Sequence, residues 1–545
     1  MRLRVLLILL VVLGLAGPPA VDNLPAGGTG RAFSAVPLRQ AAAEALRVKG
    51  KTLSLSFPNA INQGRKFNPV GDVIPALVTA PQQKVLVIFV RFTDNPPGGP
   101  TGRLDLATYF DAMLFGTVYD PPEYAPYGGY PTDRTLKNYF GAVSYGSVDI
   151  VTADLPSETG WAQAGNPYGY YAKGDGVHDY GWGPYPENVQ GLVVDAVKAV
   201  DGLVDFSAYA VDGVVPNLFV VHAGTGAEWN GDPDIIWSHS WSLDWLLGGR
   251  GYETDDGVAI NNYAMMPEVG GDLSGYTGST SGPFPPTVGV YAHEYGHVLG
   301  LPDQYDYGYE SSGTGIYSLM AGGSWNQWPA DWIFAGNSPS FLDAWSRYRL
   351  GFVHPVEVLA GTEITIPAAE VAPTVYKMIV PNSGGREYFL FENRQQIGFD
   401  EGLNVYGVDS GRLVRGLAIY HIDDTVLTRN YWRPNEAENW KEFRSEGHRR
   451  AWTGEAHYGI SLIQADDRWD LEHGVFGYFR SDLYPGSFGV TSFTSYTRPN
   501  SSSYYFWGGS APKFGYSGVT VTDIREEGAL IMARLAFEAW RPAGK

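Results

Sequence analysis

The chain has 545 residues, 44% hydrophobic and 18% charged, enough to bury a large core and too long for a single one, which excludes a disordered polypeptide and predicts two or three domains. A formal charge of −20 repels phosphate backbones and anionic lipid, so nucleic acid is a poor partner. The absence of cysteine excludes disulfides, thiolate metal sites and cysteine nucleophiles, leaving histidine, carboxylate and hydroxyl groups to carry any chemistry.

At the N-terminus, Arg2 and Arg4 precede an apolar stretch from Val5 to Ala16 and then Gly17-Pro18-Pro19-Ala20. That pattern predicts a secretory signal peptide over residues 1–20, the apolar run being shorter than the roughly 20 residues of a membrane span. The alternative is an uncleaved membrane helix. Secretion to the extracellular side is expected, with no membrane attachment after cleavage. Residues 21–83, rich in Ala, Gly and polar side chains, read as a pro-segment with little core of their own.

At Lys84 the pattern changes to Lys84-Val85-Leu86-Val87-Ile88-Phe89-Val90, an apolar run that predicts a strand buried on both faces. A helical stretch follows near Leu192–Val200, and Leu218 to His222 reads as a second buried strand, giving an α/β alternation. After about residue 355, segments such as Glu387–Phe391, Leu417–Ile422 and Val519–Ile524 recur between turns. With 69 Gly, 37 Pro and 14% aromatic residues, these predict a mostly β C-terminal region over 356–545, behind a domain spanning 84–355.

The chemistry is concentrated in His293-Glu294-Tyr295-Gly296-His297. On a helix, positions i and i+4 share a face, so both imidazoles can reach one Zn²⁺, while Glu294 projects into the adjacent sector where a general base acting on an activated water must stand. Gly300 can end the helix and turn the chain, bringing Asp303 back as third protein ligand and leaving a fourth position open. The string His-Glu-x-x-His-x-x-Gly-x-x-Asp is a metzincin-type arrangement with Asp in place of the commoner His, and Met320, in Ser318-Leu319-Met320-Ala321-Gly322-Gly323, fits the methionine turn beneath such a site. Asp306 and Glu310 are the alternatives to Asp303.

HEYGHVLGLPDQYD (His293–Asp306) with SLMAGGSW (Ser318–Trp325) resembles the immune inhibitor A family of secreted bacterial metallopeptidases, and further segments are similar in order: KVLVIFVRFTD at Lys84–Asp94, FVVHAG at Phe219–Gly224, IIWSHSW at Ile235–Trp241 and EYFLFENRQQIGFD at Glu387–Asp400. The resemblance implies an α+β zincin catalytic domain followed by β-rich material, an inhibitory pro-segment, zinc ligands His293, His297 and Asp303, Glu294 as base, and Met320 as the turn residue. It departs from the family at residues 205–217, where most of the alternating carboxylates of a calcium-type loop are missing.

Structural Ca²⁺ is considered at Asp400-Glu401, Asp423-Asp424 and Asp466-Asp467, against solvated surface charge. His222 and His239 read as hydrogen-bonded structural residues or as cleft lining, and Tyr305 and Tyr317 are candidates to stabilise an oxyanion. Without a thiol to cap the zinc, the pro-segment would block the cleft sterically or through a carboxylate such as Asp72. These readings predict a monomeric secreted zinc endopeptidase acting on proteins or peptides. The alternatives are an inactive zincin-fold protein that binds glycans or envelope polymers through its β-rich region, and a zinc hydrolase acting on something other than protein.

Overall fold

The computed structural model describes residues 82–94, 104–176, 179–229, 231–243, 249–270, 284–308, 310–328, 334–404, 414–437, 458–475, 479–505 and 515–539. The expected signal peptide and nearly all of the expected pro-segment, Asp72 included, lie outside the described residues.

The apolar run after Lys84 forms strand β1 (Leu86–Arg91), an interior strand of a five-stranded sheet. Its companions are β2 (Trp161–Gln163), β3 (Leu218–Thr225), β4 (His239–Ser242) and β5 (Asn262–Val269), in the order β2-β1-β3-β5-β4. All neighbours are parallel except β4, which runs antiparallel to β5 at the edge. Side chains alternate across a strand, so Val87 and Phe89 enter one core while Leu86, Ile88 and Val90 enter another. Strands β3 and β5 divide in the same way, Phe219 and Met266 facing the first core, Val220 and Met265 the second. Unbroken apolar sequence is what a sheet covered on both faces requires.

The first core is covered by helices α1 (Leu136–Val143) and α3 (Val288–Val298), the second by α2 (Val189–Val200). Thr135 caps α1 by accepting from the Asn138 amide, and Asn188 caps α2 by accepting from Gly191, each satisfying an amide with no partner inside its helix. The Tyr291 hydroxyl ties α3 to β5 by donating to the Pro267 carbonyl at 2.7 Å. A short helix α4 (Ala344–Arg349) follows, capped by Asp343.

Beyond residue 355, β6 (Val356–Glu357), β8 (Tyr376–Ile379), β9 (Glu387–Arg394), β10 (Gly416–Asp423) and β11 (Ile460–Leu462) form one sheet in that order. Three further strands in this region, β7 (Thr362–Ile366), β12 (Val519–Glu527) and β13 (Leu530–Phe537), form another sheet in the order β7-β13-β12. Helix α5 (Asp424–Arg429) follows β10 directly. Along β9, Phe389 and Phe391 face the three-stranded sheet, while Tyr388 and Leu390 join the core that holds α3. A continuous apolar core therefore runs from α3 into β9. At this junction the fully buried Arg394 pairs with Asp400 at 2.7 Å and donates to the Tyr317 carbonyl at 2.8 Å, and Arg347 pairs with Glu392.

Candidate metal centre

Helix α3 carries His293 and His297 one turn apart on one face, their rings 4.8 Å apart and nearly perpendicular. The helix ends where sequence predicts. Gly300 has φ 94°, its amide donates to the His297 carbonyl, and the Leu301 amide reaches back to the Gly296 carbonyl, the pair of bonds of a Schellman stop. A side chain at 300 would be strained in that conformation. The reversal returns Asp303 to the histidines, with Oδ1 at 3.1 Å from His293 Nε2 and 3.3 Å from His297 Nε2. Among the described residues, His293, His297 and Asp303 are the one group of three metal-capable side chains whose ligand atoms all lie within 4.8 Å of one another.

Backbone carbonyls fix both rings. His293 Nδ1 lies 2.9 Å from the Leu319 carbonyl and His297 Nδ1 2.8 Å from the Leu301 carbonyl. A ring that donates from Nδ1 presents Nε2 as a lone pair when neutral. Two such nitrogens and a carboxylate oxygen converge at a buried point, an arrangement that calls for a cation between them, and an N, N, O donor set suits zinc. The charge balance agrees: burial opposes charge on His297, yet the Asp303 carboxylate, with Glu294 beyond it, overrides burial and raises the ring's pKa to about 9. Burial would raise Asp303, but His297 and His293 override it and hold the acid well below its usual range. Glu294 is itself buried, one residue along α3 from His293.

The segment after α3 closes beneath the site. Met320 is fully buried, its carbonyl accepts from the Gln304 amide at 2.8 Å, and Leu319 supplies the carbonyl that faces His293. Tyr305 stacks near-parallel to the His293 ring with centroids 6.3 Å apart. Tyr317 does not face the metal position: its hydroxyl points into the interior, toward the Phe479 carbonyl and Asp482. His222 and His239 stand apart in β3 and β4. Burial pushes both down to about 4, and His239 bonds the Trp237 carbonyl and the Tyr263 hydroxyl.

Among the described residues, none of the acidic pairs considered for calcium forms a metal-capable group of three. Asp400 is taken up by Arg394 and the Phe341 amide, Glu401 by Arg134, and Asp423 caps α5 while accepting from the Tyr505 hydroxyl. Asp466 accepts from Ser481 and from the Arg468 amide. Sequence reasoning missed Tyr307, whose hydroxyl donates to Asp303 Oδ2, and Arg433, whose guanidinium lies over the Tyr307 ring. Tyr307 lies within reach of a spacing argument, four residues after Asp303. Arg433 has no local signal at all.

Residues 75–351 match the family model described as immune inhibitor A peptidase M6, catalytic domain. Immune inhibitor A of Bacillus thuringiensis subsp. alesti is 33% identical over 273 residues, which cover 45% of this chain and 36% of that protein. The pre-pro-metalloprotease PrtV of Vibrio cholerae serotype O1 is 36% identical over 180 residues, covering 32% of this chain and 18% of its own length. The chain therefore spans about a third of the first relative and under a fifth of the second.

Proposed function

The chain belongs to the immune inhibitor A peptidase M6 family, and from that membership we propose that it is a secreted zinc-dependent endopeptidase acting on protein or peptide substrates. The observation that carries the reading is the convergence of His293, His297 and Asp303 on one buried point, with Glu294 buried on the same helix. We assign the first three as zinc ligands, Glu294 as general base and Met320 as the turn residue beneath them. The zinc site belongs to a metzincin-type catalytic domain over 84–355, followed by a β-rich region over 356–545. Residues 1–20 direct export and residues 21–83 keep the monomeric enzyme latent.

When bound, zinc supplies polarisation of the scissile carbonyl and activation of the attacking water. Glu294 takes the proton from that water and later delivers it to the leaving amine. The Leu319 and Leu301 carbonyls hold the two imidazoles in the donor tautomer, so the rings need no rearrangement during turnover. A zincin-fold binding protein without activity is not favoured, because such a protein has no use for a base and Glu294 is in place.

Purified mature chain is expected to clear casein, to carry one zinc per molecule, and to stop on addition of 1,10-phenanthroline and recover with zinc. Casein left intact by zinc-loaded protein, or cleavage indifferent to the chelator, would remove the reading.

A further inference from the structure

Asp303 differs from the other two ligands of the proposed site. The histidines stand on a helix and each is fixed through Nδ1, whereas Asp303 stands on a loop and offers two chemically equivalent oxygens. Something must decide which oxygen faces the metal. In the structure the two oxygens have separate tasks: Oδ1 faces both Nε2 atoms, at 3.1 and 3.3 Å, and Oδ2 accepts the hydroxyl of Tyr307.

Tyr307 is in turn held by a stretch of chain far from α3 in sequence. The Arg433 guanidinium sits 4.3 Å from the centre of its ring, and Glu436 Oε1 accepts its amide at 3.0 Å. The same stretch grips the rest of the loop. Tyr431 donates to the Gly300 carbonyl at 2.7 Å, and Asn435 donates to the Gln304 carbonyl at 3.0 Å and to the Ile460 carbonyl of β11 at 2.8 Å. Residues 431–436 thus bond the loop at its glycine stop, between the two ends, and at Tyr307, while anchored to the C-terminal sheet.

We propose that Tyr307, held in place by Arg433, is a positioning residue that presents Asp303 to the metal through one oxygen, making the 431–436 segment of the C-terminal region a determinant of metal affinity. The inference rests on the metal-site reading above. Its physical basis is preorganisation: a charge-assisted hydrogen bond on Oδ2 removes the rotation that would otherwise be lost on binding, and blocks two-oxygen coordination.

The test uses the full chain and zinc itself, titrated against a chromophoric chelator, together with the visible spectrum of the cobalt-loaded protein and the melting temperature without metal. Tyr307→Phe removes one oxygen and leaves the ring beneath Arg433. Zinc affinity is expected to fall about 10- to 100-fold, and the cobalt bands to weaken as the second carboxylate oxygen raises the coordination number. The metal-free melting temperature should change little. Arg433→Met, which keeps the hydroxyl but frees the ring, is expected to lower affinity in the same direction and by less. Unchanged affinity and an unchanged cobalt spectrum in Tyr307→Phe would overturn the proposal alone. If the unaltered chain bound no zinc, the metal-site reading would fall and this inference with it.

Discussion

The Met320 sulfur fills the space that a side chain at Gly296 would need, since a Cβ built on Gly296 would lie 2.5 Å from it. Helix α3 and the turn beneath the metal position are in contact at the one residue of the His-Glu-x-x-His string that lacks a side chain. Gly296→Ala would otherwise favour the helix by about 1 kcal/mol. Overpacking a buried methionine costs about 1–3 kcal/mol, so the net expectation is modest destabilisation with weakened zinc binding, read by urea unfolding and zinc titration. Gly289, earlier on α3, sets the scale: a Cβ there would fall 2.0 Å from the Ser324 carbonyl oxygen and 2.8 Å from that of Gly336. Backbone cannot swing aside as a thioether can, so Gly289→Ala is expected to cost about 3 kcal/mol or more. Equal stability of the two variants would contradict the packing described.

Replacing Glu294 by Gln keeps the shape of the side chain and removes the base. If Glu294 moves the proton, kcat/KM on a peptide substrate falls about 10²- to 10⁴-fold while zinc stoichiometry stays at that of the unaltered protein. Full activity with bound zinc would place the base elsewhere. Loss of zinc together with activity would make Glu294 a ligand or a scaffold residue instead.

The convergence of the candidate site was legible where it is local. His293, Glu294, His297 and Asp303 lie within one helix and one turn, so spacing alone could bring them together, and Met320 follows closely enough for a turn to place it. The turn-bounded segments Glu387–Phe391 and Leu417–Ile422 fall within β9 and β10. What escaped is non-local. Nothing around Arg433 announces that it will cover Tyr307, because more than a hundred residues separate them and no periodicity links them. Tyr317 is one of several tyrosine candidates that no spacing argument could select, and the 3₁₀ turn Gly315–Tyr317 sends its ring inward to Phe479. The acidic pairs misled for a related reason. Asp400 looked like solvated charge or a cation ligand, and its partner is a buried arginine on a strand.

That arginine gives the third prediction. Arg394 joins Asp400, the Tyr317 carbonyl, Ser340 and the Phe341 carbonyl, so it ties β9 to the chain leading into the Met320 turn. Removing one partner of a fully buried ion pair leaves an uncompensated charge and costs about 3–5 kcal/mol. Arg394→Met is expected to destabilise by that amount, and Arg394→Met with Asp400→Leu by clearly less. Because one core runs from α3 into β9, the single variant should lower one shared melting transition, followed by calorimetry, rather than melting the C-terminal strands separately. A separate early transition would show that the strands and the α3 core unfold independently.

Acid sensitivity should arise from His222 and His239. Burial depresses both to about 4 in the folded chain, whereas an unfolded histidine titrates near 6.5. Between those values the unfolded state binds more protons, so stability rises with pH: their contribution is fully present above about pH 6.5 and is lost as pH falls toward 4. At about 1.4 kcal/mol per pH unit, each histidine is worth at most about 3 kcal/mol, and the charge on His222 is one of the causes that lower His239. In metal-free protein, His297 has the opposite sign. Its folded value of about 9 stabilises below pH 6.5, and that contribution fades as pH rises through 9. The two effects can be separated by substitution. His239→Gln, which can keep a bond to the Tyr263 hydroxyl or to the Trp237 carbonyl, is expected to flatten the fall in melting temperature between pH 7 and 4.5 while leaving the decline above pH 8 unchanged. An acid limb as steep as that of the unaltered chain would mean that other groups, and not the buried strand histidines, set its acid stability.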